Sequence, residues 1–234
     1  MTSADLATLG HHIATDAHAR LDRFVGALLD ENSRHNLTAT RDAPGVWRRH
    51  VCDAFALLPL LDAEQPARLL DVGSGGGLPG VPLACVRPEL HVTLLDSTRK
   101  KIDATTRIAV AAGLQNVRCI WGRAESLAHE VPHREQFDLV TARAVASLDQ
   151  LVELCAAFAR VGGACVFPKS QQGVAAELPA ALPIARRCGL ADESTHAYRL
   201  PDGSTDRVLV IFRKRSPTPP DLPRDGSRIG TPIA

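Results

Sequence analysis

From Leu69 to Gly80 the chain runs Leu-Leu-Asp-Val-Gly-Ser-Gly-Gly-Gly-Leu-Pro-Gly, which reads as a buried strand, a glycine loop and the start of a helix. Glycines let the backbone turn with positive φ and let a ligand lie against bare peptide groups, while the helix N-terminus faces that ligand with free N–H groups. The motif therefore implies a nucleotide-like ligand at the end of a strand.

Around this loop, short apolar runs alternate with helical segments from Arg68 onward. Such alternation predicts an α/β domain, a mostly parallel sheet with crossover helices on both faces. Strands are expected at 68–72, 91–95, 117–121, 137–142, 163–167 and 207–212, with a weaker one near 194–199. Helices are expected near 79–86, 98–112, 147–160 and 172–188, the last short or broken because Pro179 and Pro183 interrupt it.

Upstream, Leu6, Leu9, Ile13, Ala17, Leu21, Phe24 and Leu28 recur at steps of three and four, the stripe of an amphipathic helix over about 6–31. Asp42 is a good N-cap with Pro44 just inside, so a second helix should turn Val46, Trp47, Val51, Phe55 and Leu58 inward. Past Phe212 the chain turns basic at Arg213, Lys214 and Arg215, then proline-rich at Pro217, Pro219, Pro220 and Pro223. The expected organisation is an N-terminal helical region over 1–62, the α/β domain over 63–215 and a disordered tail over 216–234.

Length and composition bound the function. The 234 residues suffice for one sizeable core, and 45% hydrophobic with 23% charged residues is ordinary globular composition. Met1 to Gly10 carries neither a basic start nor an apolar run, and no stretch approaches the roughly 18 apolar residues of a membrane span, so a cytoplasmic location away from membranes is expected. Cys52, Cys85, Cys119, Cys155, Cys165 and Cys188 form no C-x-x-C pair; reduced thiols and no metal site are expected. With a net charge of +1, any nucleic-acid binding must come from local basic patches.

Gly75, Gly77 and Gly80 fit G-x-G-x-x-G, so the loop alone leaves NAD, and an oxidoreductase, open. Asp96 ends the second strand about 20 residues on, where a carboxylate either accepts from ribose hydroxyls or caps the helix beginning near Thr98.

Further residues decide between ligands. Gly-Ser-Gly-Gly-Gly-Leu-Pro-Gly-Val-Pro up to Pro82, then Leu94 to Ser97, Gly122 to Glu125, Arg143-Ala144 and Lys169 resemble the RsmG family, also called glucose-inhibited division protein B. His35 to Thr38 and Arg49 to Asp53 extend the resemblance to about residues 20–212. Departures are Ala54 and Ser170, where members usually carry Ser and Gly. Members are 16S ribosomal RNA guanine-N7 methyltransferases, so the resemblance implies a Rossmann-like class I methyltransferase fold, with 63–215 binding S-adenosylmethionine. It implies that Gly73 and Leu78 contact the methyl donor, joined in our reading by Gly75, Gly77 and Asp96. Ala124 and Glu125 would hold the adenosine end, and Arg143 would lie at the donor site beside the target base.

The target atom fits that implication. Exocyclic-amine methylases carry an Asn/Asp-Pro-Pro-aromatic loop after the fourth strand, where this chain has Thr141-Ala142-Arg143-Ala144. No cysteine sits where a pyrimidine-C5 enzyme would need its nucleophile. Guanine N7 offers a free lone pair, so positioning and electrostatics suffice, with Arg143 and Lys169 as positioning residues rather than proton carriers. Arg34, Arg41, Arg48, Arg49 and His50 form a candidate RNA surface, and Arg99, Lys100, Lys101 and Arg107 a second. His50 and Asp53, three apart, are expected to form a structural hydrogen-bonded pair. The expected partner is 16S ribosomal RNA or an assembling small subunit, met by a monomer. A non-catalytic S-adenosylmethionine-binding module is the remaining alternative.

Overall fold

The computed structural model describes residues 13–201 and 207–229. Helix α1 (Thr15–His35) begins after an extended Ala14 and ends where Asn36 turns left-handed at φ 50°. It therefore starts later than the expected 6–31 and ends a turn further on, while residues 6–12 lie outside the described residues. Its buried stripe is Ala17, Leu21, Phe24, Val25 and Leu28.

Asp42 caps α2 (Ala43–Val46) as expected, its carboxylate accepting the Gly45 N–H at 2.7 Å. The helix continues through a π-helical turn (Trp47–Val51) into α3 (Cys52–Phe55), followed by α4 (Leu58–Glu64). Val46, Trp47, Val51, Phe55 and Leu58 are all buried. A π turn holds one more residue than an α turn and shifts the helix face. Here it leaves Trp47 and Val51 in the core while His50 and Asp53 reach one cavity.

Next come β1 (Arg68–Val72), α5 (Gly80–Val86), β2 (His91–Asp96), α6 (Arg99–Ala111), β3 (Val117–Trp121), α7 (Ala124–Leu127), β4 (Phe137–Ala142), α8 (Leu148–Ala156), β5 (Ala159–Ser170), α9 (Gln171–Arg187), β6 (Leu190–Tyr198) and β7 (Arg207–Lys214). Among the described residues they form one sheet in the order β3-β2-β1-β4-β5-β7-β6. All neighbours are parallel except β7, antiparallel to both β5 and β6. Strand order reverses between β1 and β4, and helices on the two sides diverge there to leave a crevice at the strands' carboxyl ends.

Alternation along each strand builds two cores. Leu69, Leu139, Val166 and Ile211 face α1, α3, α5 and α6, whereas Leu70, Val140, Phe167 and Phe212 face α8 and α9. Helix α9 is continuous, contrary to the break expected at Pro179 and Pro183. Ala181 and Ala185, which flank the second proline, are buried in the core, and that burial offsets the lost backbone hydrogen bonds.

The tail corrects a second expectation. From Ser216 to Ile229 the chain is packed rather than disordered, although its composition offers little to bury. Leu222 is fully buried, and Arg134 donates to the carbonyls of Thr218, Pro219 and Leu222 at 2.7, 2.9 and 3.0 Å. Arg224 forms a forked pair with Glu153 at 2.8 and 2.7 Å. Glu153 is 0% exposed, so its charge needs a cation inside the fold, and the tail supplies it.

Removing one partner of a buried ion pair strands the other charge. Arg224→Ala is therefore expected to lower stability by about 3 to 5 kcal/mol in urea unfolding. Arg215→Ala, which breaks a pair with exposed Asp192, should change it by less than about 1 kcal/mol. Equal, negligible effects would show that the tail contributes no folding energy.

Candidate functional site

At the reversal of strand order lies a cavity of about 660 Å³. Its walls are the segment Leu37 to Thr40 after α1, Arg49, His50 and Asp53 from the π turn and α3, the loop Gly73 to Gly76 with Leu78, and Arg143-Ala144 after β4, with Lys101, Leu200 and Arg207 at the rim. Four of its lining residues are Lys or Arg and one, Asp53, is acidic, so it favours an anionic ligand.

The glycine loop is tied to β2. Gly73 and Ser74 donate N–H groups to Leu95 O at 2.7 and 3.0 Å, and Gly75 N–H reaches Asp96 Oδ2 at 3.0 Å. Gly75 has φ +54° and a Cβ there would meet only Gly73 O, 4.0 Å away, so bare peptide faces the cavity. Gly73, at φ +70°, is constrained differently, since a Cβ there would lie 2.4 Å from Val145 Cγ2. Ser74 Oγ is buried without a hydrogen-bond partner, a polar atom at the cavity wall. An open glycine cradle and an unsatisfied hydroxyl fit a polar, nucleoside-bearing group.

Beneath the loop, Asp71 is completely buried and accepts the Gly80 N–H at 2.9 Å. Burial pushes its carboxyl up to about 7, against the pull of that hydrogen bond. Asp96 holds two backbone groups: Oδ2 accepts from Gly75, and Oδ1 accepts the Thr98 N–H at 2.8 Å just before α6.

Arg143 sits in a network. Its Nη1 donates to Asp53 Oδ2 at 2.7 Å, Tyr198 OH donates to Asp53 Oδ1 at 2.7 Å, and Nη2 lies 3.4 Å from His50 Nδ1. Arginine can only donate, so His50 Nδ1 accepts and Nε2 carries the proton toward Thr38 Oγ1 at 2.7 Å. Burial first, then the Arg143 charge, lower the imidazole to about 4. Burial and the neighbouring carboxylate push the Tyr198 phenol up, so it stays a donor. The expected direct His50–Asp53 pair is replaced by one in which Arg143 stands between them. Ala144 adopts φ +57°, a strained position for a residue with a Cβ, which turns the chain away just after Arg143.

Of the residues expected from sequence, Gly73, Gly75, Leu78, Arg143, Arg49 and His50 line the cavity. Gly77 faces inward, where a Cβ would meet Val81 and Thr105. Asp96, Ala124 and Glu125 lie outside its lining, but Gly122 N–H donates to Asp96 O at 3.1 Å and brings the start of α7 beside the loop. Arg41 and Arg48 join Arg49 in an adjoining hollow of about 280 Å³. Arg34 lines neither and pairs with Asp30 at 2.6 Å.

Lys169, expected to position a substrate, is spent elsewhere. Its ammonium donates to Ala146 O and Glu177 Oε2, both at 2.8 Å, and Glu177 also accepts the Leu148 N–H. It closes the turn before α8 and does not line the cavity. In the second basic patch, Arg107 is forked onto buried Glu31 and Arg99 lies over Trp121, leaving Lys101 at the rim.

Sequence reasoning missed Thr40, Tyr198, Leu200 and Arg207. Arg207 is the first residue of β7, and only the antiparallel direction of β7 puts that residue beside Ser170 at the end of β5.

Comparisons with known proteins show the family and the fold. Residues 17–183 match the family model described as rRNA small subunit methyltransferase G. The chain is 38% identical over 206 residues to the ribosomal RNA small subunit methyltransferase G of Moorella thermoacetica, covering 88% of this chain and 85% of that one. It is 40% identical to that of Symbiobacterium thermophilum, covering 86% and 82%. An O-methyltransferase from Bacillus cereus, solved in complex with SAH, shares the fold at a TM-score of 0.57 and 17% identity, over 82% of this chain and 90% of that one.

The His50 environment makes stability depend on pH. The unfolded imidazole takes up a proton near its ordinary 6.5 and the folded one only near 4, so between these values the unfolded chain binds more protons. Stability is expected to fall as pH drops through that window, with a contribution approaching about 1.4 kcal/mol per pH unit. Melting temperatures from pH 7 to 4 should show a shallower fall in His50→Gln, and identical slopes would rule out a desolvated, neutral His50.

Proposed function

The chain belongs to the rRNA small subunit methyltransferase G family, and from that premise we propose that it transfers a methyl group from S-adenosylmethionine to N7 of a guanine in 16S ribosomal RNA. The observation that carries this reading is the meeting of the glycine cradle and Arg143 in one cavity whose mouth is basic. A ribosomal substrate supports a cytoplasmic location. Among the described residues no helix is long and apolar enough to cross a membrane, and no group of His, Cys, Asp or Glu is placed to hold a metal ion.

When bound, S-adenosylmethionine supplies a methyl carbon made electrophilic by its sulfonium. The peptides of Gly73 and Gly75, with Leu78, would hold the donor at the carboxyl end of β1, and Asp96, Ala124 and Glu125 would hold its adenosine end. Asp96 already accepts two backbone N–H groups, so any ribose contact uses its remaining lone pairs.

On the substrate side the guanine N7 lone pair is free, so no residue has to remove a proton before transfer. Alignment is then the main demand, and in a well-ordered site it is worth several powers of ten in rate. Arg143 meets that demand because Asp53 clamps Nη1 and His50 Nδ1 takes one Nη2 N–H, leaving the remaining N–H groups of the fork for guanine O6 or a phosphate. Arg41, Arg48 and Arg49 flank the cavity where the RNA backbone would enter. Lys169 has no part in this mechanism.

Labelled methyl transfer to ribosomal RNA from a strain lacking the enzyme, followed by mapping of the modified base, tests the reaction. A product other than 7-methylguanine, or none, overturns it. Arg143→Lys tests the positioning role while keeping a cation for Asp53. One ammonium cannot replace a planar fork, so single-turnover methylation at saturating donor should fall about 100-fold with little change in donor affinity. Normal turnover with weakened donor binding would make Arg143 a donor contact only.

A further inference from the structure

The described part of the tail packs against the residues assigned above to the adenosine side of the site. After Arg224 is anchored on Glu153, the chain turns tightly: Asp225 Oδ1 accepts both the Ser227 N–H at 3.0 Å and its hydroxyl at 2.9 Å, and Arg228 N–H bonds Asp225 O at 2.8 Å. This turn sets Gly226 on α7. A Cβ at position 226 would lie 2.4 Å from Glu125 Oε1 and 2.8 Å from Arg123 Nη2.

Arg123 Nε donates to the same Glu125 oxygen at 2.5 Å. The Glu125 side chain is only 11% exposed, although α7 is a four-residue surface helix with no buried residue. Its carboxylate is thus held between Arg123 and the tail. The Asp225 carboxyl lies below its ordinary range, chiefly because Ser227 binds it and further because the Arg123 charge is near.

We propose that residues 225–228 form a wall of the donor site, fixing the Glu125 carboxylate in the orientation that holds the adenosine moiety of S-adenosylmethionine. This rests on the assignment of Ala124 and Glu125 to the adenosine end made above. A methyl group at 226 would displace the Glu125 carboxylate or the Arg123 guanidinium from its present position. The tail therefore contributes to donor binding through one side chain rather than by covering the ligand.

The test uses a chain ended after Arg224, which keeps buried Leu222 and the Arg224–Glu153 pair, together with Gly226→Ala, Glu125→Ala, and Glu125→Ala in the shortened chain. Each is titrated calorimetrically with S-adenosylmethionine and S-adenosylhomocysteine, and melted to check the fold. The first three should each lose about ten-fold in affinity for both ligands at unchanged melting temperature. The combined variant should lose no more than Glu125→Ala alone, because both changes remove one interaction. Unchanged or tighter binding in the shortened chain, with Glu125→Ala weakened, overturns the proposal and leaves the adenosine assignment standing. Additive losses in the combined variant also overturn it. If Glu125→Ala binds as the parent does, the adenosine assignment falls and takes the proposal with it.

Discussion

A buried carboxylate holds the two parts of this protein in register. Asp53, on a helix of the N-terminal region, is 1% exposed and accepts from two groups of the α/β domain, Arg143 after β4 and Tyr198 at the end of β6. Left unpaired, such a charge would cost several kcal/mol, so the helical region docks where those donors are. Docking in turn builds the cavity: it brings Thr38, His50 and Arg49 opposite the glycine loop and fixes the guanidinium that faces them. The neutral state of His50 follows from the same arrangement, first because the imidazole is buried and then because a second cation beside Arg143 is unfavourable.

The α/β domain supplies a rigid counterpart. Its glycine loop is held by backbone bonds to Leu95 and by the carboxylates of Asp71 and Asp96. These acids make the loop a preorganised cradle, since the peptides facing the ligand are already held before binding. The topology decides where this happens, because the sheet reverses order between β1 and β4, and both the loop and Arg143 follow those two strands.

The tail shows how a segment of unpromising composition is ordered by polar anchoring. Among its described residues Leu222 is fully buried, and polar attachments include Arg134 to three carbonyls and Arg224 to Glu153. Those partners lie at least 71 positions away in sequence, so no local pattern announces them.

By itself the sequence determined the α/β class, the seven strands within a few residues, the Asp42 cap, the buried faces of the N-terminal helices and the glycine cradle. All of these follow from periodicity or local backbone chemistry, which act over a few residues. The family resemblance added Arg143 and its place after β4. Tertiary structure alone decided which cations are free for a ligand and which are consumed: Lys169 by Glu177, Arg107 by Glu31, Arg34 by Asp30, and Arg143 in part by Asp53. It also brought Tyr198 and Arg207 to the site through the antiparallel pairing of β6 and β7. The physical reason is that a charge takes its role from whatever lies within a few ångströms, and those neighbours are set by packing between elements far apart in the chain.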